Sequence, residues 1–63
     1  MTVTFIDDDN DEEVLCTYKD LSYIPKEEEC VKFVGSSVTY FVFSIIHIYD
    51  EKGNHSIEIH VKW

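Results

Sequence analysis

The sequence predicts an all-β fold: a five-stranded antiparallel small barrel with a long bent fourth strand and a C-terminal hairpin. Three observations point to it. Apolar residues alternate at period two, and no helical period is sustained anywhere. β-branched and aromatic types dominate the apolar stretches, as suits a pleated surface. Turn-forming segments, among them the acidic run at 7–13, the GSS at 35–37 and the DEKGN at 50–54, separate those stretches at short intervals. At 63 residues the chain is one domain, 1–63, near the lower size limit for folding without staples. Its apolar fraction of 44%, with four Phe, four Tyr and one Trp, supplies a packed core that a disordered acidic tail would lack.

The strands follow in order. TVTFI (Thr2 to Ile6) is the first, with Val3 and Phe5 on one face, and VLCTYK (Val14 to Lys19) is its antiparallel partner across the acidic run. A longer connection, Asp20 to Glu29, contains Pro25, which fixes its own φ and biases Ile24 towards extended geometry, so a helix there is disfavoured. CVKFV (Cys30 to Val34) is the third strand and GSS (35–37) a tight turn. The fourth strand, Val38 to Tyr49, is twice the usual length and apolar on both faces: Val38, Tyr40, Val42, Ile46 and Ile48 on one, Phe41, Phe43 and Ile45 on the other. Such a strand is either central to a two-sided sheet or bent so that it serves two sheets. In the fifth strand, HSIEIHVKW, Ile57, Ile59, Val61 and Trp63 alternate with Ser56, Glu58, His60 and Lys62.

The turn DEKGN (50–54) sets how the last two strands pair. With Gly53 in the left-handed position of a three-residue loop, Asp50 and Asn54 close the hairpin. A constant index sum then sets Ile45 opposite Ile59, Phe43 opposite Val61 and Phe41 opposite Trp63. The large apolar residues of strand five meet the Phe/Ile face of strand four, and a one-residue slip would lose that match.

The segment YIPKEEECVKFVGSSVTYFVFSIIHIY resembles the middle of small SH3-like barrel proteins of phages and mobile elements. There a P-x-x-G-E-x-V segment precedes a strand, a short glycine turn and a long strand ending in an acidic hairpin. Pro25, Glu29, Val31 and Gly35 match that outline over about half the chain, while Glu28 stands where the pattern has Gly. The resemblance implies an SH3-like barrel. Since some small acidic phage proteins inhibit host defence, it also implies an anti-CRISPR or other anti-defence inhibitor.

Charge narrows the function classes. Thirteen Asp and Glu against five Lys and no Arg give a formal charge of −8. That is the wrong sign for gripping phosphates, so direct nucleic-acid binding is not expected. It is the right sign for docking on a protein surface that normally holds nucleic acid. MTVTFIDDD has neither a basic n-region nor an apolar h-region, and the longest apolar run is too short to span a bilayer. The expectation is a soluble cytoplasmic protein, in the host cytoplasm if phage-encoded, with no membrane contact. Cys16 and Cys30 sit within apolar alternation and are expected as free thiols buried like small hydrophobes.

No reaction centre emerges. Asp7, Asp9 and Asp11 have the spacing that opens an EF-hand loop, but Glu12 stands where its sharp turn needs Gly and Tyr18 where a bidentate Glu should close it. By the predicted register His47 and His60 lie on opposite faces, and His55 is a turn residue beside Asp50, so no zinc set forms. The serines at 22, 36, 37, 44 and 56 lack a nucleophile-elbow context, and the paired carboxylates lie in loops without the burial that separates acid from base. Neither catalytic residue, metal nor cofactor is expected.

What remains is surface. Asp7, Asp8, Asp9, Asp11, Glu12 and Glu13, with Glu27, Glu28 and Glu29, form the candidate partner-binding face, joined into one if both connections lie on the same side. The predicted function is a non-enzymatic inhibitor or binder whose acidic loops occupy a basic nucleic-acid-binding cleft on a partner, such as a nucleic-acid-handling defence enzyme. The alternative is a structural or assembly module. Tyr40, Val42, Ile46 and Ile48 are either covered within the barrel or form an exposed stripe on strand four, and an exposed stripe predicts a homodimer or partner interface.

Overall fold

Strand β1 (Thr2–Asp7) runs through the interior of a single sheet, hydrogen-bonded on one side to β2 (Glu13–Lys19) and on the other to β5 (His55–Lys62). Beyond β5 lie β4 (Thr39–Tyr49) and the short β3 (Cys30–Lys32), giving the order β2-β1-β5-β4-β3. The computed structural model describes all 63 residues, and all five expected strands are present within about two residues of their predicted limits. It contains no helix that could cross a membrane.

Two features of the predicted barrel are corrected. β1 and β5 are parallel, so the sheet is mixed rather than antiparallel throughout. Alternation alone is satisfied by either direction. What places β1 here is the apolar free edge of the β4–β5 hairpin, where Val3 meets Ile57 and Phe5 meets Ile59. The intervening chain is long enough to return to the same end, as a parallel pair requires. Nor does the sheet close: β2 and β3 remain edges, and the sheet curls into a half-barrel. Its curl is visible in Phe33, just past β3, whose ring stands 5.2 Å from Phe5 of β1 at 79° and 6.0 Å from Tyr40. Such edge-to-face pairs add to simple burial.

The concave face carries the core: Val3, Phe5, Tyr40, Val42, Ile57, Ile59 and Val61, with Leu15, Leu21, Ile24, Val31, Phe33, Val38 and Ile45 around it. Cys16 is only half-buried and Cys30 is exposed, so neither is the core thiol its setting suggested.

The C-terminal hairpin forms as the turn chemistry dictates. Asp50 accepts hydrogen bonds from the Lys52 and Asn54 N–H groups at 2.8 and 2.9 Å, and Gly53 takes φ +84°. These bonds hold the Asp50 carboxyl below its ordinary pKa, the contacts with Asn54 contributing most. Pairing runs as predicted from Tyr49↔His55 through His47↔Ile57 and Ile45↔Ile59 to Ser44↔His60. There a bulge intervenes. Val42, not Phe43, faces Val61, and Phe41 faces Lys62 instead of Trp63.

The bulge inverts every predicted facing before Ser44. Val42 is 1% exposed and Tyr40 is buried, so of the two alternatives for the strand-four stripe these two residues take the covered one, while Phe43 (51% exposed) and Phe41 (41%) turn outward. Steric room explains the exchange. The concave side of a strongly curled sheet is the tighter one, and a bulge both turns the strand and raises its twist. Val42 fits there where Phe41, Phe43 and Trp63 together would overfill a core this small.

Val42 also anchors the Asp20–Glu29 connection: Glu28 N–H donates to its carbonyl and its N–H donates to the Glu29 carbonyl, both at 2.8 Å. To make that contact Glu28 adopts φ +73°, the left-handed region that Gly occupies without steric cost. Replacing Glu28 by Gly is therefore expected to stabilise the fold by about 1 kcal/mol, read as a higher urea midpoint at unchanged m-value.

Candidate functional site: the acidic tip and the outer face of β4

The run from Asp7 to Glu13 forms the tip between β1 and β2, but its six acids are not equivalent. Asp7 is buried, and its Oδ1 accepts the Asp9 N–H at 2.9 Å. Asp8 N–H donates to the Val61 carbonyl at 3.0 Å, and its Oδ1 lies 2.6 Å from His60 Nδ1. Asp9 Oδ2 accepts the Trp63 N–H at 3.0 Å. The carboxylates of Asp8 and Asp9 therefore tie the tip to the end of β5, while that of Asp7 braces the loop from within. Asp11 and Glu12, both at left-handed φ (+53° and +56°), reverse the chain, and Asp11, Glu12 and Glu13 stand in solvent.

His60 is the centre of this attachment. It lies on the outer face of β5 opposite Ser44, as the register predicts, yet is only 7% exposed. Its second ring nitrogen, Nε2, is 3.1 Å from Glu58 Oε1. Burial, the largest single influence, disfavours the imidazolium. Hydrogen bonds and negative charge from Asp8 and Glu58 together outweigh it, and the pKa rises above its ordinary 6.5. A charged ring donating from both nitrogens satisfies both carboxylates. Glu12 completes a set with Asp8 and His60 whose donor atoms lie within 4.8 Å of one another, but the proton-mediated clamp already accounts for that geometry. Sequence reasoning paired His60 only with Ser44; its partner Asp8 lies 52 residues away, reachable only through the parallel β1–β5 pairing.

The second acidic cluster divides in the same way. Glu29 accepts the Lys26 N–H at 2.6 Å and the Tyr23 hydroxyl at 2.9 Å, which together hold its carboxyl below the ordinary value, the backbone contact contributing most. Glu27 and Glu28 are exposed. Both clusters lie at one level of the sheet, because Asp7 pairs with Val61, Val61 with Val42, and Val42 bonds to residues 28 and 29. Three inter-strand steps separate them, about 14 Å along the sheet at about 4.8 Å per step. The clusters thus share one level of a sheet whose curl brings its two ends towards each other.

No lysine neutralises the exposed carboxylates of the two clusters. None of the five lysines forms an ion pair; the ion pairs are those of His60 and of the Met1 ammonium with Asp20. Lys62 instead sits 4.1 Å over the Phe43 ring. Beside it Phe41, Phe43, Ile46 and Ile48 leave an apolar stripe on the outer face of β4. Thus the four residues of the candidate stripe divide: Ile46 and Ile48 are exposed, Tyr40 and Val42 are covered, and the two phenylalanines stand in their place. A shallow depression lined by Asp8, Glu12, Phe43, Ile46, His60 and Lys62 joins the stripe to the acidic tip.

The remaining histidines meet each other. His47 Nδ1 lies 2.9 Å from His55 Nε2, and Tyr49 stacks on His55 with ring centres 4.5 Å apart. The signal for this pair was present in the hairpin register, which sets residues 47, 49 and 55 on one face. Comparison with protein-family models, with curated proteins and with solved structures found no match.

Proposed function

We propose that the protein is a non-enzymatic binder that presents carboxylates to a basic surface of a partner protein, in the place where that partner holds nucleic acid. One observation carries this reading. Asp11, Glu12 and Glu13 project from a tip fixed by Asp7, Asp8 and Asp9, and no lysine of the chain neutralises them. Fixing like charges before binding lowers the ordering cost on association, and their field steers a cationic partner. Glu27 and Glu28 add a second patch at the same level. Occlusion of the partner's cleft, not chemistry, produces the effect, and the resemblance to small phage proteins makes an anti-defence inhibitor, anti-CRISPR included, the specific form.

The test is capture of binding proteins from bacterial lysate on the immobilised chain, followed by elution with DNA or RNA at constant salt. Expected is a nucleic-acid-binding protein released by the competing nucleic acid and held less tightly as salt rises. Retention indifferent to both would contradict the proposal.

The exposed stripe favours a second reading, an assembly module that dimerises through β4. Four large apolar side chains in one row exceed the scattered exposure usual on a monomer. Light scattering decides between the two. A dimer that becomes monomeric on Phe43→Ser with Ile46→Ser, and is indifferent to charge changes at the tip, supports assembly.

A further inference from the structure

We infer that His47 and His55 form a cross-strand chelate for a borderline transition-metal ion, Cu²⁺ or Ni²⁺ in preference to Zn²⁺. The site is independent of the acidic tip, at the opposite end of the β4–β5 hairpin. The two histidines come from facing strands: Tyr49 pairs with His55, and His47 lies two residues along on the same face. Their nitrogens, Nδ1 of His47 and Nε2 of His55, are 2.9 Å apart, with the rings 21° from parallel.

That separation, set in the metal-free pair by a hydrogen bond, also meets the requirement of an ion. Imidazole nitrogens bind at about 2.0–2.1 Å, so two of them at a right angle stand about 2.9 Å apart and two at a tetrahedral angle about 3.3 Å. The observed spacing thus suits adjacent corners of a square-planar or octahedral centre, the geometries of Cu²⁺ and Ni²⁺. A tetrahedral Zn²⁺ requires the pair to open. In the metal-free pair one ring's N–H donates to the other's lone pair. On binding, that ring moves its proton to its other nitrogen through solvent, and both lone pairs turn onto an ion lying about 1.4 Å off the line between them. The ring centres are 5.2 Å apart with the two nitrogens between them, so each ring turns by about 45° to aim its lone pair at that ion, a movement open to side chains outside the core. Tyr49, stacked 4.5 Å from His55, holds that ring in the plane of the pair. Access is open, since His47 is exposed and His55 only half-buried. Two protein ligands leave the ion's other positions to water.

Titration of the intact chain with CuCl₂, NiCl₂, ZnCl₂ and MgCl₂, followed by calorimetry and by the melting temperature, tests the inference. Expected is binding in the order Cu²⁺ over Ni²⁺ and Cu²⁺ over Zn²⁺, no response to Mg²⁺, and a loss of affinity of about tenfold or more in both His47→Ala and His55→Ala. Both variants are expected to melt near the wild type in EDTA, so a failure to bind is not a failure to fold. Equal affinity in wild type and both variants would overturn the site. So would affinity lost on Glu12→Gln or His60→Ala but kept in His47→Ala, which places the ion at the acidic tip, and so would weak binding of all four ions alike, an adventitious ion only.

Discussion

Val42→Asp is expected to abolish folding, while Phe43→Asp, one residue on, leaves a folded protein. Val42 is 1% exposed, pairs with Val61 and belongs to a core cluster with Val3, Phe5 and Ile59 that contains no cation. An unpaired buried charge costs several kcal/mol, against a total stability of about 3–9 kcal/mol for a domain of this length. Phe43 points out of the bulge with half of its surface in water, and its replacement gives up the Lys62 contact and some apolar cover, a cost of about 1 kcal/mol or less. Without the bulge the effects would be exchanged, because Phe43 would then face Val61. Circular dichroism and a urea titration of the two variants decide the matter. Ile59→Ala provides the calibration: its strand pairing with Phe5 and Ile45 lies outside the bulge, and its loss is expected to cost about 2–5 kcal/mol.

The second large effect lies at His60. Asp8→Ala removes the 2.6 Å partner of a mostly buried ring and is expected to destabilise by about 1–3 kcal/mol, even though Asp8 looks like one of six interchangeable surface acids. The interaction also carries a pH signature. The folded-state pKa of His60 is raised above its ordinary 6.5, so its stabilisation is complete below the unfolded value and declines as pH rises through the folded one. The unfolding free energy should therefore fall as pH rises from about 6.5 through the raised folded-state value. In His60→Gln that decline should be absent. An Asp8→Ala protein should be less stable at pH 6 and show a shallower slope, since Glu58 remains as the only partner. A wild-type profile that rises over the same range would refute the clamp.

How far the sequence carried can be judged from particular residues. Period-two alternation and turn chemistry located all five strands, and Asp50 with Gly53 fixed the hairpin register from Tyr49 back to Ser44. Both signals are local, which is why they were readable. The bulge at Phe43 was not, because nothing at Phe43 itself marks it: it answers to the space on the concave side of the sheet, a property of the whole fold. The parallel β1–β5 pair escaped for a related reason, since side-chain alternation has no direction. That one omission hid the clamp, for Asp8 reaches His60 only when β1 and β5 run together. The acidic run was visible at once, but its division into Asp7, Asp8 and Asp9, which fasten the loop, and Asp11, Glu12 and Glu13, which face solvent, depends on contacts with residues near the C-terminus.

That division also determines how the binding proposal must be tested. Neutralising all six acids would undo the attachment to β5 and confuse lost binding with lost structure. The direct measurement is partner affinity of the triple variant Asp11→Asn, Glu12→Gln, Glu13→Gln, with its urea midpoint measured in parallel. The account predicts an unchanged or slightly higher midpoint, since exposed like charges repel by about 1 kcal/mol or less per close pair, together with at least a tenfold loss of affinity and a weaker dependence on salt. A folded triple variant that binds the same partner with wild-type affinity and wild-type salt dependence would contradict it.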